Sequence, residues 1–282
     1  MQDSIRKADI LVEARPYIQA FRGKVVVAKY GGSAIDNPSA MLGILQDLVF
    51  LSVVGIRAVL VHGGGPMITR KLSALGRQSR FVEGMRVTDA ATIRVVDNEL
   101  KAVNRRLVKQ VLQLGGHAES ITPVKRVVIA DPHPRSAELG FVGSVKEVRT
   151  TRLRQILARH AIPVISPVGR RNSSLYNVNA DDVASRVAIE LHAEKLVLLT
   201  NVRGILRRAS DPRSLISTLS VANAQKWMRR GVIQEGMIPK VKACVNALRH
   251  GVRKTHIIDA AIPHAMLLEI FTTKGIGTEI VS

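Results

Sequence analysis

Apolar runs without polar alternation recur along the chain at Lys24 to Lys29, Ala58 to Val61, Val127 to Ala130, Ile162 to Ser166, Leu196 to Thr200 and Thr255 to Ile258. Such runs, rich in Val, Ile and Leu, predict strands buried on both faces. Between them, Ala40 to Val53, Pro66 to Leu75, Ala90 to Leu114, Ala184 to Leu191 and Pro239 to Leu248 carry apolar residues three and four apart, the spacing of helices with one buried face. The alternation predicts an α/β fold, a three-layer αβα sandwich around a mainly parallel sheet. Glycine-punctuated stretches at Phe81 to Val87 and Phe141 to Val148 read as hairpins over a substrate site, and Arg203 to Pro212 as the clearest flexible loop. Leu11, Ala14 and Ile18 predict an N-terminal helix over Ile10 to Phe21, kinked or broken by Pro16.

With 282 residues, 46% hydrophobic and 23% charged, the chain has the composition of a globular protein with a sizeable core. No apolar run reaches the roughly 20 residues of a membrane-spanning helix. Met1 to Asp9 is charged where an export signal would be apolar, so a cytoplasmic location is expected. The lone Cys244 reads as a small core residue, and no Cys/His spacing suggests a metal held by protein ligands. The formal charge of +20 is unusual, and between Asn201 and Thr255 there are 12 Lys and Arg against only Asp211 and Glu235. Such a surplus suits nucleic acid. The nine aromatic residues are not interleaved with it as a stacking platform requires, so nucleic acid is not the expected partner.

Four constellations carry chemistry. Two strands run into glycine turns, Tyr30-Gly31-Gly32-Ser33 and His62-Gly63-Gly64-Gly65-Pro66. Glycines at a strand's carboxyl end let backbone amides approach an anion, and a following helix adds its positive end, so two adjacent turns form a phosphate cradle. Neither turn is GxxxxGK[ST] or GxGxxG, which disfavours P-loop and Rossmann readings. In Tyr176 to Asp182, Asn177, Asn179 and Asp181 alternate, so an extended backbone points all three to one face, whereas helix capping needs only one of them. In Gly236 to Lys240, a cation in the first turn of a helix opposes the helix dipole, and a bound anion would account for it.

Together with Gly84 to Asp89, Leu198 to Leu206 and Pro263 to Thr278, these blocks resemble the acetylglutamate kinases of the amino acid kinase family over nearly the whole chain. The resemblance implies phosphorylation of the side-chain carboxylate of N-acetyl-L-glutamate by ATP, with Mg2+ held through the ATP phosphates, in arginine biosynthesis. By match to the motifs, Lys29 and Lys240 would flank the transferring phosphate and Asp181 would orient them. Gly64, Gly65, Arg86, Asn177 and Asn179 would bind the substrate. Gly31, Gly32, Gly63, Thr200, Asn201 and Gly236 would serve the nucleotide and its phosphates. The resemblance further implies an N-terminal oligomerisation segment over about 1–22 and a kinase domain over 23–282. That domain would divide into an acyl-amino-acid lobe to about 180 and an ATP lobe beyond.

Departures from the family pattern are Asn201 in place of an aspartate, Ser120 to Arg126 in place of a glycine-rich loop, Met67 where an acid is common, and Glu235 in place of a glycine. Arginine-inhibited relatives that form hexamers, trimers of dimers, carry an N-terminal helix similar to Ile10 to Phe21. Tyr17, His256, Glu269 and Gly275 match their arginine site. Two other readings stay open: a kinase acting on a substrate linked to an acidic carrier protein, and a non-catalytic regulator. The arginines outside the motifs read as a solvated surface that steers anions at low salt.

Overall fold

The computed structural model describes residues 1–208, 211–233, 236–272 and 275–282. The chain runs through α1 (Gln2–Phe21), β1 (Val25–Tyr30), α2 (Pro38–Val53), β2 (Arg57–His62), α3 (Gly65–Ala74), β3 (Phe81–Val82), β4 (Met85–Arg86), α4 (Ala90–Gln113) and β5 (Ala118–Ile121). Its middle part holds β6 (Val128–Pro132), α5 (Ser136–Leu139), β7 (Val142–Val148), α6 (Thr150–Ala158), β8 (Ile162–Ile165), β9 (Val168–Arg171) and β10 (Ser174–Val178). It ends with α7 (Ala180–Glu190), β11 (Lys195–Thr200), β12 (Thr218–Ser220), α8 (Val221–Arg229), α9 (Ile238–Arg249), β13 (Lys254–Asp259), α10 (Ala265–Phe271) and β14 (Thr278–Val281).

Eight strands form one sheet in the order β12-β14-β13-β11-β1-β2-β8-β5, and only the β13–β14 pair is antiparallel. Strand β1 shows why the apolar runs lack polar alternation. Val25 and Val27 pack into a core shared with α6, α7, α8 and α9, whereas Val26, Ala28 and Tyr30 pack into a second core with α2, α4 and α10. Alternate residues of one strand thus serve opposite layers, and neither face meets water. In Cys244, on α9, burial pushes the thiol up to about 12, which makes it a core residue and not a nucleophile.

Three expectations need correction. The N-terminal helix starts at Gln2 and runs unbroken through Pro16, although none of its residues is buried. Phe141 to Val148 is not a hairpin: β7 is one continuous strand, antiparallel to β6 and parallel to β10, in a closed four-stranded barrel β10-β7-β6-β9. Gly143 is there because a Cβ would lie 2.7 Å from that of Tyr176 and 3.1 Å from the Asp131 carbonyl. The segment of Asn177, Asn179 and Asp181 is not extended throughout. Asn177 lies on β10, but Asn179 caps α7 by accepting from the Asp181 and Asp182 amides, and Asp181 is already helical. The Phe81 to Val87 hairpin forms as expected, as β3 and β4. Within the Arg203 to Pro212 loop, residues 209 and 210 lie outside the described residues, as does Glu235. Among the described residues no helix is long and apolar enough to cross a membrane.

Candidate active site

Parallel pairing brings the carboxyl ends of β1 and β2 to one edge of the sheet, where their glycine turns meet. A Cβ on Gly31 would lie 3.1 Å from the Gly63 Cα, so a side chain at either position would force the turns apart. One on Gly64 would lie 2.5 Å from Leu100 Cδ2 on α4. The second turn is held from behind by His62, which is fully buried. Its Nδ1 faces the Gly63 carbonyl at 2.9 Å and its Nε2 the Asn104 amide nitrogen at 3.1 Å; that nitrogen also donates to the Val164 carbonyl at 2.8 Å. The carbonyl requires a proton on Nδ1 and the amide donor a bare Nε2, so the ring is neutral. Burial lowers its pKa from 6.5 to about 4.

Because the unfolded chain protonates His62 near 6.5 and the folded one near 4, folding stability is present above 6.5 and is lost as pH falls towards 4. The loss amounts to about 3 kcal/mol. Urea unfolding at pH 7 and near pH 4.5 should show it in the wild type and not in His62→Asn; equal pH slopes in the two proteins would exclude the assignment.

Lys29, on β1 before the first turn, places its Nζ 2.8 Å from Asp181 Oδ1, and Lys240, in the first turn of α9, places its own 3.5 Å from Oδ2. Lys29 and Asp181 are almost wholly buried, whereas Lys240 keeps about a fifth of its side chain exposed. Burial pushes the Asp181 carboxyl up, but the two ammonium groups outweigh it and hold the carboxyl below the usual carboxylate range. The result is two cations on one anion; Lys29 and Asp181 face a cleft of about 280 Å3, which Lys240 does not line.

Gly32, Gly63, Gly64, Gly65, Arg86, Asn177 and Asn179 line the same cleft as Lys29 and Asp181. Arg86, on β4, donates to the Gly65 carbonyl at 3.1 Å, to Thr69 Oγ1 at 2.8 Å and to Ser79 Oγ, and its guanidinium lies 4.7 Å from the centre of the Phe81 ring. It is buried, burial lowers its pKa, and no carboxylate pairs with it among the described residues. Asn177 Nδ2 donates to Thr88 Oγ1 at 3.3 Å. Of the remaining expected residues, Gly31 packs against the second glycine turn, and Thr200 and Asn201 lie at the end of β11, where the Thr200 hydroxyl donates to Asn201 Oδ1 at 3.3 Å. Gly236 accepts from Lys240 Nζ at 3.5 Å. A separate apolar cleft of about 140 Å3 is lined by Val202, Gly204, Ile205, Leu206, Val232, Ile233 and Met237.

Tyr17, His256, Glu269 and Gly275 come together on a third cleft, about 720 Å3, with Lys195, Lys254 and Glu279. Glu269 Oε1 lies 2.8 Å from His256 Nδ1 and 3.4 Å from Lys195 Nζ, while Glu269 Oε2 and His256 Nε2 are buried without a hydrogen-bond partner among the described residues. Burial pushes Glu269 up, but His256 and Lys195 hold it below the usual range.

Residues 24–259 match the amino acid kinase family model. The chain is 45% identical to acetylglutamate kinase of Syntrophomonas wolfei over 99% of its own length and 98% of that protein's, and 46% identical to that of Desulforamulus reducens over the full length of both. The chain belongs to the acetylglutamate kinases. Among solved structures, N-acetylglutamate synthase from Neisseria gonorrhoeae, complexed with coenzyme A and N-acetyl-glutamate, matches with a TM-score of 0.86 at 29% identity over 96% of this chain and 62% of the synthase. A complex of the same synthase with coenzyme A and L-arginine matches at 0.79 and 27%, over 95% of this chain and 64% of that one. Carbamate kinase from Giardia lamblia shares the fold, with a TM-score of 0.68 at 15% identity over 92% and 99% of the two chains.

For a chain of this kinase family, sequence reasoning overlooked His62, Asn104 and Lys195. Asn104 had a signal: it is a polar residue on the apolar stripe of α4 that carries Leu100, Val103, Leu107 and Val111. Lys195 had none, because it opens an otherwise apolar strand and acquires its role only from α10 across the sheet.

Proposed function

We infer that the protein transfers the γ-phosphoryl group of ATP to the side-chain carboxylate of N-acetyl-L-glutamate, giving ADP and N-acetyl-L-glutamyl 5-phosphate, the second step of arginine biosynthesis. The observation that carries the reading is the Lys29–Asp181–Lys240 cluster beside two packed glycine turns. A carboxylate oxygen attacks the γ-phosphorus, the bond to the β,γ-bridging oxygen breaks, and its electron pair leaves with ADP. The protein's task is to bring two anions together and spread the charge of the transferring group. Lys29 and Lys240 supply two positive charges from opposite elements, and Asp181 holds them in place without cancelling both.

Arg86, buried without an acid partner, takes the substrate's α-carboxylate. Among the described residues Asp181 is the sole carboxylate lining this cleft, and both its oxygens face lysines. A free α-ammonium would find no counter-charge, whereas Ile68, Leu100, Val142 and Pro167 offer an acetyl group an apolar wall. The adenine lies in the apolar cleft, whose lining residue Met237 stands three residues before Lys240 in the chain. Among the described residues no cluster of acids, His or Cys could cage a metal, so magnesium arrives on the ATP phosphates as part of the substrate. The reading places the enzyme in the cytoplasm.

An ADP-release assay tests it. Turnover with N-acetylglutamate should exceed that with glutamate by about 100-fold in kcat/KM. Arg86→Ala should raise KM for acetylglutamate about 100-fold with a smaller change in kcat. Turnover only with a carrier-linked substrate, or none at all, would overturn the reading.

The third cleft suits arginine: acids face a guanidinium, Lys195 and Lys254 face a carboxylate, and Glu269 Oε2, without a partner among the described residues, can accept from a donor. The arginine complex of the similar synthase supports this. Helix α1 exposes Ile5, Ile10, Leu11 and Val12, which supports a hexamer, a trimer of dimers, joined through these helices. Arginine should inhibit the wild type and, at the same concentration, fail to inhibit Glu269→Gln. Light scattering should show removal of residues 1 to 20 turning a hexamer into a dimer; an unchanged mass would refute the assembly.

A further inference from the structure

Most of the positive charge plays no part in the kinase reading. Arg203, Arg207, Arg213, Arg229 and Arg230 are all exposed, and none forms an ion pair among the described residues. Arg208 and Arg253, by contrast, are matched by Asp211 and Glu194. The unmatched arginines belong to two segments, the loop after β11 and the end of α8, which the fold brings to one opening. Val202, Gly204, Ile205 and Leu206 share the apolar cleft with Val232 and Ile233. Arg203 and Arg207 adjoin the first set in the chain, and Arg229 and Arg230 precede the second. On α8, Lys226, Arg229 and Arg230 stand at positions i, i+3 and i+4, on one face, while Trp227 and Met228 pack against the core. Helix electrostatics accounts for Lys226 and Arg229, in the last turn of α8, but not for Arg203, Arg207 or Arg213.

Such a face attracts either acidic protein or phosphate chains. Protein interfaces depend on buried aromatic and aliphatic anchors. Around this opening the exposed large apolar residues are Val202 at 40% and Val232 at 36%, too little for an interface core. A phosphate chain needs no anchor: its affinity comes from released counterions, and each guanidinium meets two phosphate oxygens at once. A stacking platform, whose absence argued against nucleic acid, is not required for binding that ignores base sequence.

We propose that this face binds phosphate-backbone polyanions, RNA or inorganic polyphosphate, through Arg203, Arg207, Arg213, Arg229 and Arg230. A bound chain covers the opening of the apolar cleft and competes with ATP; this consequence rests on the kinase reading, whereas the binding itself does not.

The test is fluorescence anisotropy of a labelled oligouridine of about 20 nucleotides and of labelled polyphosphate, at salt from about 0.05 to 0.3 M. Saturable binding at about 0.15 M salt is expected, with log affinity falling against log salt at a slope of about −3, as four or five phosphate contacts require. Changing Arg203, Arg207, Arg229 and Arg230 to Glu should weaken binding at least about tenfold and flatten the slope. The same four changed to Gln should give an intermediate loss, a check that holds if the charge reversal perturbs folding. Binding of either probe supports the proposal, and the tighter one names the source. Absence of saturable binding by both, or equal affinity of both variants and wild type, overturns it. Poly-L-glutamate binding as tightly as the phosphate probes would assign the face to an acidic protein and also overturn it.

Discussion

Lys29→Met should lower kcat about 1,000-fold while KM for acetylglutamate changes by no more than a few-fold. The Lys29 ammonium is held in a nearly dry site, 2.8 Å from Asp181 and at the mouth of the first glycine turn. Charge that grows on the transferring phosphoryl group meets a cation already oriented, in surroundings that screen it poorly, so the stabilisation is greater in the transition state than in the bound substrates. Methionine keeps the apolar stem and removes only the charge. Lys240→Met should cost somewhat less, because that side chain is more exposed and water replaces part of its role. The double variant should lose less than the product of the two effects, since the lysines act on one group. Steady-state ADP release with circular dichroism on each variant gives the comparison, and a kcat within tenfold of wild type in a folded Lys29→Met protein would remove Lys29 from the chemistry.

Asp181→Asn should be damaging in two separable ways. The variant leaves two ammonium groups facing a neutral amide, so the native state should lose about 3 kcal/mol at pH 7. The sign of its pH dependence follows from the lowered carboxyl. The contribution of Asp181 is complete above the unfolded value of 3.8 and disappears as pH falls through the folded value, so the gap between wild type and variant should close below about pH 4. At pH 7 kcat should fall about 100-fold with KM for ATP little changed, as expected of a residue that positions Lys29 and Lys240 without touching the reacting atoms. Urea unfolding across pH, together with kcat and KM, separates the two effects. A stability gap that widened in acid would contradict the lysine-held carboxylate.

How much could be read in advance varied by element, for physical reasons. The central strands were legible because a parallel strand covered on both faces cannot carry alternating polar residues, and α2, α3, α4 and α9 because one face of each is apolar. Strand β5, Ala-Glu-Ser-Ile, and strand β9, Val-Gly-Arg-Arg, carry no such run, since one lies at the sheet edge and the other closes a small barrel. Pro16 does not break α1, whose residues are mostly exposed apart from the half-buried Ala14, Tyr17, Ile18 and Phe21. Asn179 misled because capping and site-building draw on the same short polar side chains.

The layers, the two glycine turns and the charged residues are legible in the chain, because local patterns of apolar spacing and backbone freedom carry that information. Which charges meet depends on the folded arrangement. Lys29, Asp181 and Lys240 sit on three elements far apart in the chain, and parallel pairing of β1 with β11, with α7 and α9 packed over them, turns them into one cluster. The same holds for Tyr17 and Glu269 in the third cleft and for the two segments, Val202 to Leu206 and Val232 to Ile233, that meet at the apolar one. The reason is range: apolar periodicity acts between residues a few positions apart, whereas Coulomb attraction and desolvation act through space and depend on a burial that the fold must first create.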